Sequence, residues 1–425
     1  MLISQLFIEC RMLDKSSILF PHENYRQSQE QIISLVSKTL SEKKNLLLNA
    51  PTGIGKTDST LPIALSHALA NNKVVFFLTS RHTQHKIAVE SLRKIKQKYN
   101  KKFIAIDIIG KRWMCLQPGA SILPGSQFIE YCKDLREKDE CSYYLNLKKN
   151  NQLSHASMQA INTITQLSPI DVEHSIQISS NHNVCPYEIT LMMAKEARVI
   201  IADYYHIFNK PIREKLLAKM NKQLEDCIII VDEAHNLPGR IRDLLSIELS
   251  SYIIFQAIKE AKQLKDEKLE SCLKSLQQSL ESLASKIKPG SSEALLPKID
   301  LIKEIEQLGY YDDIINAFSS ASELILEEKR RSFLSSVSSF MQSWLGQDAG
   351  FARIISKHKS KRGYENISIT YDCLDPSVLS KEIFQQSYSS ILMSGTLSPL
   401  HMYRDILGIE NSIESEFTAP FPKHN

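Results

Sequence analysis

Residues 45–57 read NLLLNAPTGIGKT, a short apolar run ending in a loop that carries two glycines, a lysine and a threonine. More than any other stretch, this one restricts what the chain can fold into. A strand, a tight turn and the opening of a helix place backbone N–H groups and a helix N-terminus toward a polyanion. Gly53 and Gly55 permit close backbone approach. Lys56 is placed to reach the β- and γ-phosphates of a nucleotide, and Thr57 to ligate Mg2+. Pro51, Thr52 and Ile54 complete the loop. The full eight-residue form of this pattern begins with Gly, and here Ala50 holds that place.

A second stretch, CIIIVDEAHN at 227–236, supplies the complement. An apolar strand ending in Asp-Glu sets two carboxylates at the carboxyl edge of a parallel sheet, where ligands bind. Asp232 would hold Mg2+ through water, and Glu233 would orient and deprotonate an attacking water. His235 exceeds what a simple nucleotide switch requires and points to coupling between hydrolysis and another site.

Other apolar runs, at 73–79, 103–109, 198–202 and 389–395, alternate with helical patterns. Continuous Val, Ile and Leu suit strands buried on both faces, hence an α/β core with a parallel sheet. Two insertions interrupt the alternation. The first, 111–190, holds four cysteines; the second, 245–365, has helical spacing of Leu, Lys, Glu and Ser broken by PGSS at 289–292. The expected division is a nucleotide-binding domain at 1–110, 191–244 and 366–425, with each insertion a domain of its own.

The chain has 425 residues, 43% hydrophobic and 24% charged, with a formal net charge of +4. That charge is too small to argue for nucleic acid without local features. No apolar run approaches a membrane span, and the N-terminal segment reads as fold rather than leader, which leads us to expect an intracellular protein. Cys227, Cys272 and Cys373 read as small buried hydrophobes, and Cys10 is uninformative.

Taken in order, the loop, FLTSRHTQ (77–84), DEAH (232–235) and SGTLSPL (394–400) resemble the superfamily 2 helicases. Four cysteines between loop and DEAH resemble, within that group, the XPD family of iron–sulfur helicases. FPHENYRQSQ (20–29) resembles the family element that precedes the loop, where Gln29 would read the adenine edge of ATP. ARVIIADYYHIF (197–208) resembles the stretch before the DEAH strand. The resemblance implies a RecA-like P-loop domain carrying a four-cysteine iron–sulfur insertion and an α-helical arch insertion. It also implies ATP and Mg2+ as ligands, single-stranded DNA as partner, 5′ to 3′ movement and a setting in DNA repair. The compartment would be the cytoplasm, or the nucleus in a eukaryote.

Cys115, Cys132, Cys141 and Cys185 would supply four thiolates, the donor set of either tetrahedral Zn2+ or a [4Fe–4S] cluster. Wide, uneven spacing and a final Cys-Pro fit the cluster better than paired zinc knuckles, with His182 a rival ligand for zinc. The expected role is structural. For DNA, the resemblance implies contacts near Thr79, Arg81, His82 and Thr83. Lys111 and Arg112 beside Trp113 combine charge with a stacking surface. EEKRRS (327–332) reads as a charged helix face. Ser394 and Thr396 would connect the ATP site to movement on DNA.

The family motor uses a second α/β domain whose arginines complete the site, usually from a Gln-x-x-Gly-Arg-x-x-Arg helix. That pattern is absent from these 425 residues, and EFTAPFPKHN (416–425) resembles the linker into such a domain. The expectation is a first motor domain with weak hydrolysis of its own. Its second half would come from a missing segment or a separate polypeptide. The competing expectation is a metal-stabilised DNA-binding module in which ATP acts as a switch.

Overall fold

A computed structural model describes residues 18–418 except 27, 124, 330–331 and 360–364. Cys10, the N-terminal segment, part of EEKRRS and the end of the linker-like segment lie outside the described residues. The strands are β1 (Asn45–Asn49), β2 (Val74–Leu78), β3 (Ile104–Ile108), β4 (Ala197–Ala202), β5 (Cys227–Asp232), β6 (Ile247–Ser250), β7 (Glu293–Leu295), β8 (Phe351–Lys359), β9 (Glu365–Cys373), β10 (Ser389–Ser394) and β11 (Ser412–Glu416). A two-residue ladder at 148–149 and 152–153 is separate from these.

Contacts divide the chain into two compact units. One comprises residues up to Ile122, Cys141–Ile241 and Ser377 onward; the other comprises Leu123–Glu140 and Arg242–Pro376. The first unit is built on a seven-stranded sheet of order β11-β1-β10-β5-β2-β4-β3. All six pairings are parallel. The apolar runs explain why: every residue of β2, β5 and β10 is buried, which only a sheet covered by helices on both faces allows. Three helices carry the site elements: α1 (Gln29–Ser41), α2 (Lys56–Asn71) and α3 (His82–Tyr99). Consecutive parallel strands need crossovers, which aligns their carboxyl ends along one edge.

The strand expectations hold at all six runs, and the sheet is the parallel α/β core the sequence implies. β11 is an addition. Its sequence, SIESE, has no apolar run, because an edge strand need bury only one side.

The second unit departs from a purely helical insertion. Besides helices at Ser251–Gln263, Glu267–Ser285, Tyr311–Lys329 and Phe333–Trp344, it contains a four-stranded antiparallel sheet of order β6-β9-β8-β7. β9 pairs along its whole length with β8, so residues 365–373 pack with this unit rather than with the seven-stranded sheet. Residues 123–140, expected within the cysteine insertion, also fall here. Its core gathers Leu273, Leu280, Phe318, Val337, Phe340 and Trp344. One buried carboxylate organises it: Glu260 accepts hydrogen bonds from the Phe333 and Leu334 amides at 2.8 and 2.9 Å and from Ser332 Oγ at 3.0 Å. It thereby caps the helix Phe333–Trp344 with a negative charge at the dipole's positive end.

Candidate nucleotide and nucleic-acid site

The phosphate loop, residues 50–55, leaves β1 at the carboxyl edge and enters α2. Gly53 and Gly55 both adopt positive φ, 89° and 88°. At Gly55 the positive φ is what calls for glycine, and a Cβ there would also displace the terminal amide of Gln29. Gln29 itself is buried. Its amide accepts from the Arg26 N–H at 2.7 Å and donates to Gly55 O at 3.5 Å, and Arg26 Nη1 donates to Gly53 O at 3.2 Å. The segment before α1 thus braces the loop by its backbone. Sequence reasoning misses Arg26, although it sits in the stretch that carries the resemblance.

Lys56 and Thr57 are the first two residues of α2, so they accompany backbone N–H groups that have no partner within the helix. Lys56 Nζ donates to Ala50 O at 2.9 Å and Pro51 O at 3.4 Å. Burial lowers its pKa, against the pull of the Asp232 and Glu233 charges. A lysine folded on the loop's carbonyls is within a side chain's swing of anything the loop cradles. Ile54 is buried and Thr52 exposed.

Asp232 ends β5 with only 3% of its surface exposed. Burial, then the neighbouring Glu233, pushes its pKa up to about 6, with Lys56 and Arg81 opposing. A carboxyl so placed calls for a cation. Glu233 follows in the left-handed region, φ 50°, unusual for a non-glycine residue and a turn that moves its side chain off the strand line.

The SGT segment meets these residues from the adjacent strand. β1 and β10 pair with Asn49 opposite Ser394, and the Ala50 N–H donates to Ser394 O at 2.9 Å. Ser394 is fully buried. Its Oγ lies 2.7 Å from His235 Nδ1 and 3.3 Å from Glu233 Oε2, and it accepts from the Thr396 N–H at 3.1 Å. With a Nδ1–H tautomer, the hydroxyl accepts from His235 and donates to Glu233, which satisfies every site it has. Glu233, His235, Ser394 and Thr396, assigned separately to hydrolysis and coupling, form one hydrogen-bonded group.

The 79–83 segment follows β2 on the same edge. Arg81, His82 and Thr83 are exposed at the start of α3. Thr79 is buried, its N–H bound to Ala202 O at 3.1 Å and its hydroxyl without a hydrogen-bond partner among the described residues. After β3, Arg112 lies 4.3 Å from the ring centroid of the half-exposed Trp113. Lys111 is more engaged than expected, 3.4 Å from buried Glu188, which also accepts from Lys219 at 2.9 Å.

The cysteines are gathered in part. Within the first unit, Gln117 Nε2 lies 3.6 Å from Cys141 Sγ, and the Cys185 N–H donates to Tyr143 O at 2.9 Å. These contacts draw the segments of Cys115, Cys141 and Cys185 together, while Cys132 lies in the helix Gly125–Glu137 of the second unit. Their thiolates have the donor chemistry of an iron–sulfur site. Among the described residues no three His, Cys, Asp or Glu groups are arranged to hold a metal ion.

Comparison with known proteins adds the following. A DEAD_2 family model matches residues 77–254, and the model for the res subunit of type III restriction enzymes matches 22–117. The XPD/RAD3 helicase subunit of general transcription and DNA repair factor IIH from Saccharomyces cerevisiae is 22% identical, covering 97% of this chain and 62% of the relative. A regulator of telomere elongation helicase 1 homolog from Arabidopsis thaliana is 24% identical, covering 94% and 44%. A solved XPD helicase superposes with a TM-score of 0.61 at 22% identity over 93% of this chain and 63% of that one. A truncated XPD gives 0.60 at 20%, over 93% and 100%. This chain therefore spans less than two thirds of the curated relatives it matches.

Proposed function

We propose a function for a chain that belongs to the XPD/RAD3-like family of superfamily 2 helicases: it is the ATP-binding part of an ATP-dependent DNA helicase that moves 5′ to 3′ along single-stranded DNA, with DNA repair as its setting. The observation that carries the reading is the hydrogen-bonded group Glu233–Ser394–His235, tied to the phosphate loop through Ala50. A hydrolytic carboxylate wired to a second strand is what a motor needs and a passive binding site does not.

In this reading the α2 N-terminus and Lys56 hold the β- and γ-phosphates, and Thr57 and Asp232 hold Mg2+, which neutralises phosphate charge. Glu233 orients the attacking water and takes its proton, steadied by Ser394. Arg81, His82, Thr83 and Arg112 face the phosphates of the DNA strand, and Trp113 offers a stacking face. Cys115, Cys132, Cys141 and Cys185 would carry a structural [4Fe–4S] cluster, closing as the metal binds, since such sites couple ligation to folding. A second motor domain, on this or another polypeptide, supplies the arginines that complete the ATP site. Among the described residues no helix is long and apolar enough to cross a membrane; the reading places the protein with DNA, in the nucleus of a eukaryote or otherwise in the cytoplasm.

Calorimetric titration with Mg·ATP tests the nucleotide site. Wild type binds, and Lys56→Ala weakens binding at least about tenfold, the scale of a lost charge-assisted contact. Equal affinity in the two proteins would refute the loop assignment.

A further inference from the structure

The cysteine-bearing insertion returns to the sheet at residues 166–174, and neither the phosphate loop nor the cysteines account for how it is held there. β3 is the outer strand of the seven, and Ser168 covers its edge. The Ser168 hydroxyl accepts from the Ala105 N–H and donates to Ala105 O, both at 2.9 Å. On the surface, α3 grips the same segment. Arg93 Nε donates to Pro169 O at 2.9 Å, and its Nη2 lies 3.5 Å from Asp171. Lys96 Nζ donates to Ser168 O, and Lys86 pairs with Glu173 at 3.0 Å. Exposed pairs of this kind contribute little each.

Beneath them lies a buried tie. Asp107, near the end of β3, is 1% exposed, and its two oxygens serve two different elements. Oδ1 is 2.5 Å from Nδ1 of His85, in the first turn of α3. Oδ2 accepts at 3.0 Å from the N–H of Val172, the first residue of the helix Val172–Asn181. An ionised carboxylate only accepts, so His85 carries a proton on Nδ1. The other ring nitrogen faces Asp203 Oδ1 at 3.8 Å, and the ring centroid lies 5.8 Å from that of His82. Burial disfavours a charged imidazole, yet the hydrogen bond and charge of Asp107 carry the His85 pKa upward. Asp107 also sets negative charge at a helix N-terminus, where the dipole favours it. One carboxylate thus joins the insertion to the turn of α3 that follows Arg81 and holds His82 and Thr83.

We propose that His85 is a positioning residue for single-stranded DNA: bonded to Asp107, it fixes the start of α3 that faces the strand and ties it to the insertion at Val172. DNA seated at 81–83 then restrains residues 172–175 through this bond, and the insertion restrains the DNA-facing turn in return. The inference rests on the reading of the chain as a DNA-binding motor.

The test measures the affinity of the full chain for a fluorescent oligothymidylate by anisotropy, beside its affinity for a non-hydrolysable ATP analogue with Mg2+. His85→Leu keeps the bulk and removes the ring donors; His85→Asn places an amide N–H close to where Nδ1 stood. His85→Leu is expected to weaken oligothymidylate binding at least about tenfold, the scale of a lost hydrogen bond to a charged group, with analogue affinity unchanged. His85→Asn recovers most of that loss. Packing alone would give the opposite order, since Leu fills the space better than Asn, and that order overturns the proposal. So does wild-type DNA affinity in His85→Leu, and so does equal weakening for both ligands, which marks a structural role. Hydrogen exchange of the wild type supplies an arm that needs no variant. Oligothymidylate is expected to slow exchange of the 172–175 amides by about fivefold, together with those of 81–88. Protection confined to 81–88 overturns the proposal even if His85→Leu misfolds. Wild type that binds the analogue but no oligothymidylate instead removes the functional reading beneath the inference.

Discussion

Asp232 shows how burial of a single carboxyl costs stability that a cation, in the proposed reading, would restore. Unfolded, its carboxyl ionises near 3.8; in the fold, burial and Glu233 defer ionisation to about 6. A raised carboxyl favours the neutral acid in the folded state, so the metal-free chain loses stability as pH rises from about 4 to 6 and does not regain it above. Two pKa units correspond to about 3 kcal/mol. We therefore expect Asp232→Asn to stabilise the chain by up to about 3 kcal/mol at pH 8, in chelator and without nucleotide, with the difference vanishing near pH 4. Urea denaturation across pH checks this; a pH-independent difference would mean that the carboxyl is not held as described. The same substitution should weaken Mg2+-dependent nucleotide binding, because the group that strains the fold is the one a cation would relieve.

At the level of elements, the insertion after β3 is where chemistry outruns geometry. Backbone and side-chain contacts join the segments of Cys115, Cys141 and Cys185, yet the sulfurs do not form a closed site among the described residues. The account expects anaerobically purified protein to carry about four iron atoms per chain. Cys115→Ser should lose most of that iron and leave residues 111–190 more open to proteolysis. About one zinc per chain and no iron would contradict the cluster.

Legibility in the sequence followed the same line. The β strands with continuous apolar runs could be read directly, because a strand buried on both faces leaves no polar positions to confuse the pattern. β8 and β9 could not: FARIISKHK and ENISITYDC alternate, but their pairing depends on a hairpin rather than on local helix breakers. The phosphate loop and DEAH were legible because their spacing is local. The His235–Ser394 bond joins residues 159 positions apart, and Tyr204's bonds to the turn at Glu233 arise only when β4 and β5 take their places in the sheet. Gln29, expected to face adenine, shows its amide engaged on Arg26 and Gly55, a role that only the folded loop reveals.

For the whole molecule, one parallel sheet brings the phosphate loop, the DEAH turn, the SGT turn and the 79–83 segment to a common edge. In the proposed reading that arrangement supplies nucleotide binding and a wired carboxylate. Rapid turnover asks for more, since an arginine delivered to the transferring phosphate is worth roughly 10³–10⁵ in rate where it has been measured. The most direct measurement is ATP hydrolysis by the anaerobically purified 425-residue chain, with and without single-stranded DNA, beside Glu233→Gln. The account predicts ATP binding with negligible turnover, and DNA-stimulated turnover when a polypeptide carrying the second motor domain is added. Robust DNA-stimulated hydrolysis by the chain alone, abolished in Glu233→Gln, would show that the completing arginine lies within these residues or in a second copy, and would contradict the division of the motor proposed here.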